Sequence, residues 1–279
     1  DVTEVAMLAV VNNPDLRLQR DALGLARAQA FAAGLLPDPQ LALSADFPRH
    51  RAAGLTTAYS LGLGEDISTL LTRSSRKAAA TSQARQVNLD LLWAEWQTVA
   101  QARLLFDQVQ NLRAQQTRLE QEQVALGVVA SDIRTALQAG NLTYDSASAG
   151  LNAEADVRKR LADDAIALHQ AEADLHLLLG LAPDAPLDLV GAPYRVSPTK
   201  QDLLAALDDL PRRRPDLLAL QAGYESQQAK LRSAILAQFP ALNIGFNTAR
   251  DTSAVYANGP SIGISLPLFD RNRGNIAIE

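Results

Sequence analysis

Two spacings of apolar residues divide this chain, one of period two and one of period seven. Gln40 to Phe47 alternates, with Leu41, Leu43, Ala45 and Phe47 on one face and Gln40, Ala42, Ser44 and Asp46 on the other. The stretch 57–67 does the same, setting Tyr59, Leu61 and Leu63 against Ala58, Ser60, Gly62 and Gly64. Leu242, Ile244 and Phe246 mark a third run over 241–248, and Ile262, Ile264, Leu266 and Leu268 a fourth over 261–269. Such alternation predicts strands with unlike faces. Their lengths suit tilted strands that cross a bilayer, and equally suit an ordinary amphipathic hairpin packed on helices. Alternation alone leaves both readings open.

From about residue 76 the period changes. Leu105, Val109, Leu112, Gln116, Leu119, Gln123, Leu126, Ala130, Ile133 and Leu137 keep a strict 4-3 spacing, the seam of a coiled coil. A helix over 76–139 would be about 96 Å long at 1.5 Å per residue. Ala139-Gly140-Asn141 ends it, and a second helix over 143–179 carries its own seam through Leu161, Ala165, Leu168, Leu175 and Leu179. The expectation is an antiparallel hairpin with its tip near Gly140. Before the first strand, residues 3–36 read as helix broken at Asn12-Asn13-Pro14, where Asn13 caps the second piece. Residues 180–210 read as a linker, rich in Pro, Gly and Asp up to Pro198 and closing on a short helix over 200–210. Pro211 and Pro215 then bracket Arg212-Arg213-Arg214, and a helix over 215–239 follows.

The elements recur. At an offset of 201 residues, Pro14-Asp15-Leu16 lines up with Pro215-Asp216-Leu217, and Pro39-Gln40-Leu41 with Pro240-Ala241-Leu242. Ser60-Leu61-Gly62-Leu63 matches Ser261-Ile262-Gly263-Ile264 at the same offset. Three matches without a shift define a repeat. The domains expected are a first repeat over 1–179, a linker over 180–210, and a second repeat over 211–279 that lacks its helical hairpin. By the offset that hairpin belongs at about 277–380. Four strands do not close a barrel, so a membrane reading needs further copies of the chain to supply strands and remove edges.

Composition narrows the classes. Ala and Leu dominate with only 5% aromatics, the makeup of long helices. A net charge of −5 argues against nucleic-acid binding, since no basic face can neutralise many phosphates. With no cysteine there is no disulfide, thiolate metal site or thiol nucleophile, which fits an oxidising compartment. No apolar run reaches about 18 residues, so a membrane helix is excluded and strands are not. Asp1 opens without a leader, the reading being a cytosolic or an already processed chain.

Several stretches resemble the TolC-like outer membrane efflux factors of Gram-negative bacteria, and together they span nearly the whole chain. Arg214-Pro215-Asp216-Leu217, with Ala237-Gln238-Phe239-Pro240-Ala241-Leu242 closing the helix, is similar to that family's second-repeat signature. Gly263-Ile264-Ser265-Leu266-Pro267-Leu268-Phe269-Asp270 resembles its last strand and turn, and Leu137-Gln138-Ala139-Gly140-Asn141-Leu142 its periplasmic tip. Pro37-Asp38-Pro39 is faintly similar to the heavy-metal branch. The resemblance implies a mainly α fold with a small β part. It pairs a long antiparallel coiled-coil hairpin with four amphipathic transmembrane-type strands, and three chains form a twelve-stranded barrel on a helical tunnel. It implies the exit duct of a tripartite efflux pump, passive and without cofactor, in the outer membrane with its helices in the periplasm. The partners implied are a homotrimer when complete, a periplasmic adaptor, an inner-membrane pump and outer membrane lipid. The adaptor contact falls on Gly140, Asn141, Leu142, Thr143, Tyr144 and Asp145. The lipid-facing set is Leu41, Leu43, Phe47, Tyr59, Leu61, Leu63, Leu242, Ile244, Phe246, Ile262, Ile264 and Leu266.

Other chemistry is thin. His50, His169 and His176 offer no metal site, because the i,i+7 pair lacks a third ligand between them. They read as surface histidines, Asp163-Asp164 and Asp208-Asp209 as solvated pairs, and Trp93 and Trp96 as core. The Arg212–Arg214 triplet reads as a solvated helix entrance, and Tyr59 and Tyr256 suit a bilayer interface. No catalytic constellation is present, so an enzyme is the least supported class. A soluble periplasmic coiled-coil scaffold or adaptor-binding protein without channel activity is the alternative to the duct.

Overall fold

The computed structural model describes residues 1–49, 55–191 and 198–279, and of Asp208 the backbone alone. His50 lies outside the described residues. The order is α1 (Val2–Asn12), α2 (Pro14–Ala33), β1 (Gln40–Asp46), β2 (Ala58–Asp66), α3 (Ser68–Gln138) and α4 (Tyr144–Leu178). There follow α5 (Lys200–Arg213), α6 (Pro215–Leu236), β3 (Ala241–Arg250), β4 (Tyr256–Ser265) and α7 (Arg273–Ile278). The chain clusters into two compact units, Asp1–Arg20 with Leu91–Asp208, and Asp21–Asp90 with Asp209–Glu279.

The first unit holds the helical hairpin. Every residue of the expected α3 seam is buried or half-buried, and so is every residue of the α4 seam, as the heptads require. Phe106, Val109, Leu105 and Ala102 on α3 pack with Leu168, Ala171, Leu175 and Leu179 from the α4 end, and α1 adds Val5 and Ala9. Asn13 joins these pieces. Its side-chain oxygen accepts from Leu16 N at 3.0 Å, capping α2, and its amide donates to the Leu178 carbonyl at 3.0 Å. Arg113 reaches Glu172 at 2.7 Å across the two helices.

His176 is not a free surface group. It is half-buried, and its ring nitrogens lie 2.7 Å from the Glu172 carbonyl and 2.9 Å from that of Ala185, so it ties the linker to α4. Asp163 is solvated as expected, but Asp164 is 5% exposed and neither oxygen meets a donor among the described residues. The heptad register turns it inward with Leu161, Ala165 and Leu168. Trp96 corrects the core expectation: it is exposed beside the half-buried Trp93, with ring centroids 6.4 Å apart.

In the second unit small side chains set the spacing of the helices. Ala79 of α3 and Ala219 and Ala222 of α6 are buried, and buried Ser226 donates to the Ala79 carbonyl at 2.9 Å. α3 begins at Ser68 rather than near 76, because Asp66 accepts from Ser68 N at 2.9 Å and caps the helix eight residues early. α5 runs through Pro211 to Arg213, three residues past the expected end at 210, so Arg212 and Arg213 close that helix and Arg214 stands at the entrance of α6.

At the start of α6, Arg214 donates to both Asp216 oxygens, with Nε at 2.9 Å from Oδ1. That hydrogen bond and the guanidinium charge hold the Asp216 carboxyl below its ordinary range. A carboxylate whose pKa is lowered by folding stabilises the fold above its unfolded value, and the benefit disappears as pH falls through the lowered value. The expected outcome is a thermal midpoint for Asp216→Asn below that of the parent at pH 7. The gap should close on acidification below the carboxylate range, which a melting series from pH 7 to 2 reads directly.

Candidate functional site

The four strands form one antiparallel sheet in the order β1-β2-β3-β4. Directly paired residues share a face. Leu41 stands opposite Leu63, Leu63 opposite Phe246, and Phe246 opposite Pro260. Leu43 pairs with Leu61, Leu242 with Ile264, and Ile244 with Ile262. The sequence-identified apolar residues therefore gather on one continuous face, and all of them but the half-buried Leu242 are exposed. Two lie just past strand ends: β1 stops at Asp46, before Phe47, and β4 at Ser265, before Leu266.

The opposite face is built from small and polar groups. Ala42, Gly62, Asn247 and Gly259 form one row, and Gln40, Gly64, Gly245 and Ser261 another. The Ser44 and Ser60 hydroxyls meet at 2.8 Å. At Gly245 a Cβ would stand 2.7 Å from the Leu63 carbonyl oxygen and 2.8 Å from Ser261 Oγ, so glycine permits this close approach of strands.

The apolar face has a polar end. Tyr59 pairs with Arg250, and Arg250 with Tyr256. The Arg250 guanidinium lies 6.0 and 5.7 Å from the two ring centroids, and the phenol oxygens are 3.4 Å apart. The tyrosines were legible in the sequence and Arg250 was not; its signal was its place on the Phe246 face, four residues on.

The hairpin tip is a second exposed surface. Gly140 takes φ +75°, its N–H donates to the Leu137 carbonyl at 3.1 Å, and Asn141 N donates to the Ala136 carbonyl at 2.9 Å. This is the left-handed close of a helix that glycine adopts without strain. Thr143 then caps α4, its Oγ1 accepting from Ser146 N at 3.4 Å while Ser146 Oγ accepts from Thr143 N at 3.2 Å. Residues 140–145 are all exposed, Tyr144 to 83%. Behind the tip, Glu154 is 5% exposed and bonded to Arg134 of α3 and, at 2.5 Å, to Arg158. This cross-helix clamp was missed, because sequence spacing does not show which charges meet across a hairpin.

No group of three metal-binding side chains occurs among the described residues, and no described helix is long and apolar enough to cross a membrane. A cavity of about 720 Å³ among α3, α6 and α7 presents Arg76, Lys230 and Glu279 without a nucleophile–base arrangement. The sheet thus presents one exposed apolar face and one face of small and polar groups, the alternation that transmembrane β-strands carry.

No family model matches the chain. It is similar to the protein CyaE of Bordetella pertussis, 27% identical over 299 residues, covering 96% of this chain and 60% of that protein. It is also similar to the outer membrane protein MdtQ of Shigella flexneri, 24% identical over 321 residues, covering 100% of this chain and 64% of that protein. The chain thus spans less than two thirds of the length of these curated relatives. The fold matches the outer-membrane channel OprN with a TM-score of 0.78 at 18% identity, over 99% of this chain and 68% of that one. The fold of this chain is therefore that of solved outer-membrane channels such as OprN.

Proposed function

We propose that this chain is a protomer of the passive exit duct of a tripartite efflux or secretion system. The observation that carries the reading is the exposed apolar face continuous over four strands, backed by a small polar face and open at both edges. Lipid covers the first face, water fills the lumen against the second, and three copies close the barrel so that no edge is left unpaired. Residues 1–179 and 211–279 act as the two repeats, joined by 180–210. The tip residues Gly140 to Asp145 meet a periplasmic adaptor, with Leu142 and Tyr144 as apolar contacts, and the adaptor couples the duct to an inner-membrane pump. Energy enters at that pump.

The test is fractionation of the full-length gene product, followed by light scattering of the detergent-extracted particle corrected for bound detergent. A trimer from the outer membrane fraction is the expected result. A monomer or dimer stable without detergent overturns the duct and leaves a soluble coiled-coil scaffold.

A further inference from the structure

The free edges of the sheet carry a specific address for one another. Adding 201 to each residue number turns the pair Gln40–Gly64 of the first hairpin into Ala241–Ser265, which is the pair found in the second. The two hairpins therefore share one register, and β1 is to β3 as β2 is to β4. Between the hairpins, β2 and β3 pair so that residue numbers sum to 309, as in Tyr59–Arg250 and Asp66–Asn243. Exchanging the repeats adds 201 to one partner and subtracts it from the other, which leaves the sum at 309.

From this we infer that the outer edge of β4 in one copy pairs antiparallel with the outer edge of β1 in the next in that same register. The inference rests on the oligomeric duct proposed above and adds the register to it. Residues 260–267 of one copy then face 49–42 of its neighbour. Ser265 stands opposite Ser44, Ile264 opposite Ala45, Gly263 opposite Asp46, Ile262 opposite Phe47, and Leu266 opposite Leu43.

Three observations support the match. Each pair joins like faces: Leu266 with Leu43 and Ile262 with Phe47 extend the apolar face, while Ser265 with Ser44 and Gly263 with Asp46 extend the small one. A slip of one residue would put every side chain on the wrong face. Next, the ladder between β2 and β3 ends at Tyr59 and Asp66, whose counterparts at the 201 offset are Pro260 and Pro267. Prolines have no N–H to give a ladder and are tolerated at its ends, and Pro48, two residues past the end of β1, falls one place from an end. Finally, the pairing brings in Phe47 and Leu266, the two exposed apolar residues that stand just beyond β1 and β4.

The chain has no cysteine, so two introduced thiols report on this contact alone. Ser44 and Ser265 lie on opposite outer edges of the sheet, and a bond between them joins two copies. In the outer-membrane form of the full-length protein, Ser44→Cys with Ser265→Cys should oxidise to covalent dimers and trimers on a non-reducing denaturing gel. Ala42→Cys with Ser265→Cys and Asp46→Cys with Ser265→Cys should not, since a two-residue offset is about 7 Å along a strand and outside disulfide reach. Faster linking of an offset pair in an intact trimer overturns the register and leaves the duct standing. A detergent-corrected mass below that of a trimer, measured on the unmodified protein, overturns the duct and the register together.

Discussion

Replacing Phe106 by alanine should lower the stability of the helical unit by about 3–5 kcal/mol, the range for deleting a buried aromatic ring. Phe106 is fully buried in a core cluster whose other members come from three parts of the chain, among them Val5 and Ala9, Val109, and Leu175 and Leu179. Those members are held by backbone helices that cannot close a ring-sized void, so the cost includes the cavity as well as the lost transfer energy. Urea unfolding followed by helical circular dichroism gives the number. The midpoint should fall with the slope unchanged, since the surface exposed on unfolding stays the same. Phe106→Leu should recover more than half of the loss, because it refills much of the volume. A loss below about 1 kcal/mol for alanine would mean that the ring does not fill a tight core.

A charge on the apolar face should be nearly as costly, and only in a membrane. Leu63 lies between Leu41 and Phe246, along the sheet from the Tyr59–Arg250–Tyr256 cluster at one end and short of Glu65 at the other. Leu63→Arg should destabilise the assembled barrel by about 2–4 kcal/mol, the cost of arginine on a lipid-facing strand near the bilayer centre. Ala257→Arg, on the small polar face, is the matched control because an aqueous lumen tolerates the guanidinium. Heat resistance of the trimer on gels, read beside its yield in outer membranes, separates the two. Equal behaviour of both variants would show that the apolar face does not meet lipid.

Much of this architecture was legible because its parts obey simple periods. Ten seam positions from Leu105 to Leu137 at 4-3 spacing could only be one helix, and each of them turns inward. Strand ends were harder. β4 starts at Tyr256 and stops at Ser265, whereas alternation pointed to 261–269. The segment Tyr256-Ala-Asn-Gly-Pro has the composition of a turn, and only its pairing with 246–250 makes it strand, a tertiary choice that outweighs local preference. At the far end Pro267 cannot give an N–H, and the single copy offers no neighbour to carry the strand on. The charged contacts were not legible at all. Glu154 and Asp164 both belong to α4 and both are buried, yet one sits between two arginines and the other meets no donor. Which of these a helical carboxylate becomes depends on the facing helix, and a charge pattern along one strand of sequence does not contain that.

The sheet advances four residues along the strand for each two-stranded repeat: Leu41 leads through Leu63 to Phe246, whose counterpart in the first repeat is Ala45. In a closed barrel the number of strands and their stagger jointly fix the radius. The bore of such a duct is then set by backbone hydrogen bonding, before any lining side chain is chosen. In the duct proposed above, exchanging Ser44, Asn247 or Gly263 for bulkier or charged groups should change what passes, with the calibre of the wall itself unaltered. Adapting such a conduit to new cargo leaves its diameter where it was, whereas one bulge in a strand would alter the width for every molecule at once.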